Sequence, residues 1–409
     1  MLKKIAFPAF CLSFLLFLAP FALADFTTPS VNISNSATDS LYPKIAHIPG
    51  TSKVFAIWVE TDGTEDLLYF SKSTDGAQTW STPTALTTWG QILVHDDDLN
   101  DYYSFSFVVK DPYIHVVTQH RADMYNKTNL WYVRSTDLGD TWDYGNQKWL
   151  TNNDYETMCP DIDARGEYVH VAYYDGWPGN AEIMYKRIAN YGAGSIDQTR
   201  RLSFSSTPSL YARVAVSQDG QTVNIVYQDT VGSGVYNIFH KVIRDSGAGT
   251  YDTHQLTFGT NPSTEWNGHP DIAAATGSSP EYVYIVYQAF WPGNREVMYK
   301  RIDNWGLSPF NVYTARLTYS LSESRSNSVS FDDVNHYVHI SYHDNWPGNY
   351  DVMHKKFSNY GGGGFSTQRV SWGTGDSSYS DVAADGASAY IAWSDNSGGN
   401  YDILVKRGN

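Results

Sequence analysis

The sequence contains only two cysteines among 409 residues, and Cys11 lies in the apolar N-terminal segment. Cys159 would then be the only thiol of an exported chain, so no internal disulfide could stabilise the fold. The interior must be held together by burial of apolar side chains, which a 42% hydrophobic composition allows. A buried strand position is our interpretation of Cys159, with a catalytic thiol as the alternative.

Basic side chains are also scarce, with 28 Lys and Arg against 43 Asp and Glu and a net charge of −15. Such a chain has no general attraction for polyanions, and an anionic ligand would need a local basic pocket. After the N-terminal segment, no apolar run is long enough to span a membrane. We therefore expect no nucleic-acid partner and no transmembrane segment.

Residues 1–24 are typical of a cleaved secretory signal. They contain two lysines, an apolar run over 5–21 and an Ala-Leu-Ala ending. We expect the mature protein to begin at Asp25 and to be secreted or periplasmic. We expect residues 25–409 to form a single domain and to act as a monomer.

An internal repeat determines the predicted architecture. The string Trp-Pro-Gly-Asn begins at Trp177, Trp291 and Trp346, and each time an acidic residue, Met and Lys follow. Spacings of 114 and 55 residues predict a copy midway in the first interval, and a degenerate copy does begin at Asp229. Another begins at Asp395. With this period, the 385 residues that follow the signal hold seven units.

Each unit contains segments in which apolar residues alternate with polar ones, the pattern of a β-strand. Four such segments per unit predict an all-β, seven-bladed β-propeller of four-stranded antiparallel blades. The predicted blades span 36–88, 89–152, 153–206, 207–260, 261–319, 320–372 and 373–409 with 26–35. The last unit lacks its fourth strand, so we expect Thr27–Ser34 to supply it and to close the ring.

Two turns share a more specific pattern. Ser135–Trp142 reads Ser-x-Asp-x-Gly-x-x-Trp in full, and Ser73–Trp80 differs only by Ala77 at the glycine position. Degenerate copies occur at 188–192, 243–247, 302–306 and 357–361.

Through these turns, essentially the whole mature chain resembles the Asp-box (BNR-repeat) β-propellers, the superfamily that includes the sialidases. The resemblance implies that the box is structural and lies on the face opposite any active site. It also implies that Trp80 and Trp142 are buried between sheets.

The working face of such a propeller is formed by the starts of the inner strands and the ends of the second strands. An Asp recurs at the end of four second strands, which indicates that it braces a turn. The exceptions to the repeat suggest a site. We predict His120, Tyr174 and Arg213 as catalytic residues. The predicted substrate-binding residues are Arg121, Tyr211, His269, His343, Trp177, Trp291 and Trp346.

The sequence predicts no catalytic metal and no cofactor. His336, His339 and His343 have helical spacing but fall on a strand, where His336 and His343 point to opposite faces. Asp96 and Asp98 resemble the start of a calcium loop, but an EF-hand would require glycine five residues after Asp96 and the sequence has Asp101. A structural calcium ion near Asp96 and Asp98 and a solvated acidic loop remain the two alternatives.

Sialidases of this superfamily bind the substrate carboxylate with three arginines, the first in a Phe/Tyr-Arg-Ile-Pro motif. The corresponding segment here has Lys44 instead, so we predict that the chain is not a sialidase. We favour recognition of extracellular carbohydrate. The first alternative is a lyase acting on uronic acid polymers, because His120, Tyr174 and Arg213 resemble the residue set of the ulvan-lyase-type propellers. The second is a protein-interaction scaffold without activity. Whether the chain is an enzyme stays open.

Overall fold

The computed structural model describes residues 26, 28–61, 66–86, 104–122, 127–177, 179–231, 234–261, 265–275, 281–290, 293–346 and 348–408. These residues form seven antiparallel sheets of four strands each around one axis. We number the blades in chain order and name the strands of each blade inner, second, third and outer. The predicted seven-bladed fold is confirmed. The predicted signal, residues 1–24, lies outside the described part of the chain.

The strand bounds follow the repeat. Blade 1 contains Asp39–His47, Val54–Thr61, Asp66–Ser73 and Thr84–Ala85, and blade 2 contains Phe105–Lys110, Tyr113–Ala122, Lys127–Ser135 and Lys148–Trp149. Blade 3 contains Thr157–Arg165, Tyr168–Asp175, Glu182–Ile188 and Ile196–Arg201, and blade 4 contains Leu210–Val216, Val223–Val231, Val235–Ile243 and Tyr251–Gln255. Blade 5 contains Trp266–Ala274, Val283–Phe290, Arg295–Ile302 and Val312–Arg316, and blade 6 contains Ser324–Asp332, Tyr337–Asp344, Asp351–Phe357 and Phe365–Arg369.

Blade 7 combines the two ends of the described chain. Its first three strands are Ser377–Asp385, Ser388–Asp395 and Asp402–Gly408, and Val31–Asn32 pairs antiparallel with the third. The amide of Ile33 also donates to the carbonyl of Ile403 at 2.9 Å. No helix in the described ranges is long and apolar enough to cross a membrane.

The hydrophobic core lies between blades. It consists of several separate clusters, most of which combine apolar residues from two adjacent sheets, because both faces of every blade are covered by a neighbour. The second strands are almost entirely buried, and Trp58, Tyr173, Tyr284 and Trp393 are among the largest side chains with no appreciable exposure. Residues near the axis are therefore positioned by packing on both sides.

The turn Ser135–Trp142 shows why the box pattern has its spacing. The Asp137 carboxylate accepts hydrogen bonds from the Ser135 hydroxyl and the Thr141 amide, each at 2.8 Å. Trp142 packs edge-on against Phe70 of blade 1, with ring centroids 5.4 Å apart. The predicted burial of the box tryptophans is wrong in degree, because Trp80 and Trp142 are half-buried at the surface end of the gap between blades.

The box glycine is required by contact with the preceding blade. Gly192 has a φ of +82°, and a side chain there would overlap the hydroxyl of Tyr132 on the third strand of blade 2. The Tyr132 hydroxyl is itself hydrogen-bonded to His115 Nδ1 at 2.8 Å. This turn therefore joins blade 3 to blade 2.

Candidate functional site

The inner strands bend near their starts, on the face of the propeller opposite the box turns, which we call the bulge face. In six blades the pairing with the second strand shifts register near the start of the inner strand, which is the signature of a β-bulge. In five of them a residue other than glycine adopts positive φ there: Tyr42, Cys159, Tyr211, His269 and Tyr379, with φ between 47° and 57°. Such backbone strain is typical of functional sites.

Side chains of the preceding blade hold these bulges. The Cys159 amide donates to Gln119 Oε1 and the His269 amide to Gln228 Oε1, both at 3.0 Å. In the corresponding place, the Tyr379 amide donates to His343 Nδ1 at 3.3 Å. His343 therefore occupies the position of these glutamines and supports the fold, and its role in substrate binding stays a prediction.

The inner strands of all seven blades line an axial cavity of about 400 Å³. One level of the inner strands is built by the same position in successive blades: Lys44, Ser106, Asp161, Arg213, Asp271, Ser328 and Asp381. All of these residues except Arg213 line the cavity. We call this level the belt, and it carries three carboxylates and two cations.

Two of the three carboxylates join neighbouring blades. Asp161 accepts the Val214 amide of blade 4 at 2.8 Å and the Ser106 hydroxyl of blade 2 at 2.7 Å. Asp381 does the same with the Ile45 amide and the Ser328 hydroxyl, at 2.8 and 2.7 Å. Both oxygens of each carboxylate are thus used in holding the ring together.

Asp271 departs from this pattern. One of its oxygens accepts the Val329 amide at 2.8 Å, but the preceding blade presents Arg213 where Asp161 and Asp381 have a serine. Desolvation in the channel wall raises the pKa of Asp271 to about 6, although Lys44 and Arg213 act to lower it. A carboxyl group with this pKa can donate or accept a proton near neutral pH. The sequence held one signal for this difference: Arg213 stands where blades 2 and 6 have Ser106 and Ser328.

The structure does not bring His120 and Tyr174 together. The His120 ring lies 5.5 Å from that of Trp131, which packs against the core between blades 1 and 2. Tyr174 belongs to the core between blades 3 and 4, and its hydroxyl donates to the sulfur of Met158 at 3.3 Å. Gln119 accepts the Cys159 amide of blade 3, and neighbouring residues of a strand point to opposite sheet faces, so His120 faces away from blade 3. The roles of His120, Tyr174 and Arg213 as catalytic residues stay a prediction.

Tyr174 does lie near other predicted residues. Its ring centroid is 6.5 Å from that of Tyr211, and Tyr211 lies 4.4 Å from His269, so three rings from blades 3, 4 and 5 form a row. Cys159 is in the same cluster, and burial raises the pKa of its thiol to about 12. A thiol of this pKa is not a nucleophile at neutral pH, which favours the structural interpretation of Cys159.

The turns after the second strands carry the repeated tryptophans. Trp177 and Trp346 are exposed, and their amides donate to Asp175 and Asp344, respectively, at 2.8 Å. The expectation that the recurring Asp braces this turn is confirmed in these two blades. Trp291 lies outside the described residues.

Two further predictions fall beyond the described side chains. The backbone of Arg121 pairs with Thr128, but its side chain is not among those described. Asp96 and Asp98, the residues considered for calcium, also lie outside the described ranges. Within those ranges, no group of three or more His, Cys, Asp or Glu side chains has a geometry that could hold a metal ion.

Comparison with known proteins identifies relatives of the fold. No family model and no curated protein matches the chain. Among solved structures, it is similar to the GH93 α-L-arabinofuranosidase of Fusarium graminearum in complex with arabinobiose, with a TM-score of 0.51 and 11% identity over 94% of this chain and 98% of that one. It is also similar to the Hadza microbial sialidase Hz136, with a TM-score of 0.50 and 13% identity over 90% of this chain and 65% of that one. At such identity the likeness establishes the propeller fold, and no activity.

Proposed function

We propose that this protein recognises extracellular carbohydrate at its axial channel. The observation that carries the proposal is the cavity wall, which presents Lys44, Asp161, Asp271 and Asp381 next to the strained bulges of the inner strands. The partly exposed rings of His269 and Tyr379 at two of these bulges offer apolar surfaces, and the belt offers hydrogen-bonding groups, the two elements that a polar ring-shaped ligand needs. The arabinobiose complex and the sialidase among the structural neighbours support a carbohydrate ligand.

Hydrolysis of a glycosidic bond is the second candidate, and it rests on Asp271. A carboxyl group whose pKa is raised by its surroundings can protonate a leaving oxygen, while a second carboxylate stabilises or attacks the sugar. Asp161 contributes to the raised pKa of Asp271 and would be the second group. The lyase alternative has lost support, because His120 lies in a different gap between blades from Tyr174.

We also propose that the protein works outside the cytoplasm, on the strength of the signal-like residues 1–24. N-terminal sequencing of protein recovered from the periplasm or medium should begin at Asp25. Protein retained in the cytoplasm with Met1 in place would contradict this proposal.

A glycan array followed by product analysis tests the function. We expect binding to a defined group of glycans, weakened by Asp271→Asn. The matched control is Asp163→Asn, because Asp163 also lines the channel and accepts a backbone amide at 2.8 Å, from Val216. A hydrolase should release reducing ends and lose at least about 10²-fold in turnover with Asp271→Asn. A lyase should release unsaturated products that absorb in the ultraviolet and should depend on His120. Absence of binding across the array would overturn the proposal.

A further inference from the structure

A second repeated feature lies away from the channel, where the outer strands end. In blades 3, 5 and 6 the outer strand ends at an arginine, and the next three residues are an apolar residue, Ser or Thr, and an aromatic residue. The three aromatic residues are Phe204, Tyr319 and Trp372, and they are 69%, 72% and 71% exposed. Since strands alternate in direction, the outer strand ends on the face where the inner strand begins. The three rings therefore stand on the rim of the bulge face.

Each ring rests on the arginine of its own motif. The guanidinium carbon lies 4.5 Å from the ring centroid in the Arg201–Phe204 and Arg316–Tyr319 pairs and 4.4 Å in the Arg369–Trp372 pair. One face of the ring is thus covered by a cation. Exposure of the remainder leaves the opposite face for a ligand.

The arginines are held in place by buried carboxylates. Arg201 donates to Glu182 and Arg316 to Glu296, both at 2.8 Å, and these carboxylates are fully buried at the start of the third strand. Arg369 donates to Asp351 at 2.5 Å in the same way. A ring that stands on a fixed guanidinium has little conformational freedom to lose when a ligand binds.

In blades 3 and 6 the loop that follows the ring is hydrogen-bonded to the Trp-Pro-Gly-Asn turn beside it. Asn180 donates to the carbonyl of Thr207 at 2.8 Å and Asn349 to that of Gly375 at 2.7 Å. The exposed rings of Trp177 and Trp346 therefore belong to loops that are bonded to the loops that follow Phe204 and Trp372. Each of these blades presents one supported rim ring and one exposed tryptophan.

We propose that Phe204, Tyr319 and Trp372 form three equivalent stacking platforms for neutral sugar units of a polysaccharide. Each arginine is already paired with a carboxylate, so the platform offers no free charge for an anionic ligand. A continuous protein interface would present a contiguous apolar patch, whereas these are single rings on separate blades with polar residues between them. Repetition suits a ligand that itself repeats, because several weak contacts add up to firm attachment. The inference extends the proposed carbohydrate function to sites separate from the channel.

Affinity electrophoresis tests the platforms, with gels containing arabinan, xyloglucan or galactomannan as probes. We expect at least one polysaccharide to retard the protein. Phe204→Ala, Tyr319→Ala and Trp372→Ala should each weaken binding about three- to tenfold, with a larger loss for the triple variant. Phe258→Ala is the matched control, because Phe258 stands at the same position of blade 4 and is 74% exposed but has Gln255 in place of the arginine. Circular dichroism should show the same melting temperature for all variants, since the rings are exposed.

The outcomes separate this inference from the channel proposal. Retardation that persists in the triple variant, or that falls equally with Phe258→Ala, would overturn the platforms. If binding depends only on Asp271, the platforms fail and the channel proposal stands. If it depends only on the three rings, the reverse holds. A wild-type protein that passes all three gels without retardation, or that self-associates through these rings in light scattering, would also overturn the inference.

Discussion

The two faces of this propeller are built on different rules. On the box face, blades 2, 3 and 5 repeat one contact: Arg134, Arg187 and Arg301 of the third strands each donate to a backbone carbonyl in the box turn of the next blade, at 2.6 to 2.8 Å. In the belt, equivalent positions carry different residues in different blades, and Asp271 lacks the serine partner that Asp161 and Asp381 have. Repetition marks the contacts that hold the ring together, and departure from it marks the groups that are available for a ligand.

The strongest test of the ring contacts is removal of residues 26–34. Phe26 and Ile33 are buried against different core clusters of blade 7, and Val31–Asn32 covers the edge of its third strand. Deletion should lower the free energy of unfolding by at least about 4 kcal/mol, because two buried side chains and a strand pairing are lost. Chemical denaturation of the shortened protein measures this loss. Unchanged stability would show that the segment does not close the ring.

The box contact should be nearly as sensitive. Gly192→Ala should cost about 2–4 kcal/mol, since the new methyl group adopts positive φ and overlaps the Tyr132 hydroxyl. Gly166→Ala is the control: this glycine also has positive φ, +56°, but faces open space. In a Tyr132→Phe background the cost of Gly192→Ala should fall toward that of the control. Equal costs in both backgrounds would contradict the proposed overlap.

In the belt, stability should depend on pH through Asp271. Folding raises its pKa from 3.8 to about 6, so the folded protein holds this proton more tightly than the unfolded chain. This contribution is fully present below pH 3.8 and is lost as the pH rises through about 6. Asp271→Asn should remove it, so the stability of the variant relative to wild type should increase by about 3 kcal/mol across this window. Denaturation series of the variant and of wild type across this pH range measure the difference.

The smallest effect is expected at Ala77, which breaks the box pattern in blade 1. Its φ is +69° and its methyl group is buried. Ala77→Gly should change stability by less than about 0.5 kcal/mol, because the relief of backbone strain offsets the lost burial. Thermal denaturation can compare it with Gly192→Ala at the equivalent position of blade 3. A large loss for Ala77→Gly would mean that the two box turns are not equivalent.

Sequence and structure agree best where the repeat is regular. The period of 55 residues predicted seven blades, and the recurring Asp predicted the braced turns at Asp175 and Asp344. The prediction was less accurate for Trp142, because the residue pattern indicates a contact with a neighbouring sheet but not how far the ring extends to the surface.

The sequence by itself determined the number of blades, the order of strands and the places where the repeat is interrupted, because all of these follow from local period and alternation. Only the tertiary structure decided which interrupted positions meet. His120 and Tyr174 occupy adjacent blades, yet their rings fall in different gaps between sheets, since a shift of one residue along a strand reverses the side chain. The pKa of Asp271 is likewise set by tertiary structure, because burial in the channel wall raises it, Asp161 adds to the rise, and Lys44 and Arg213 oppose it from two other blades.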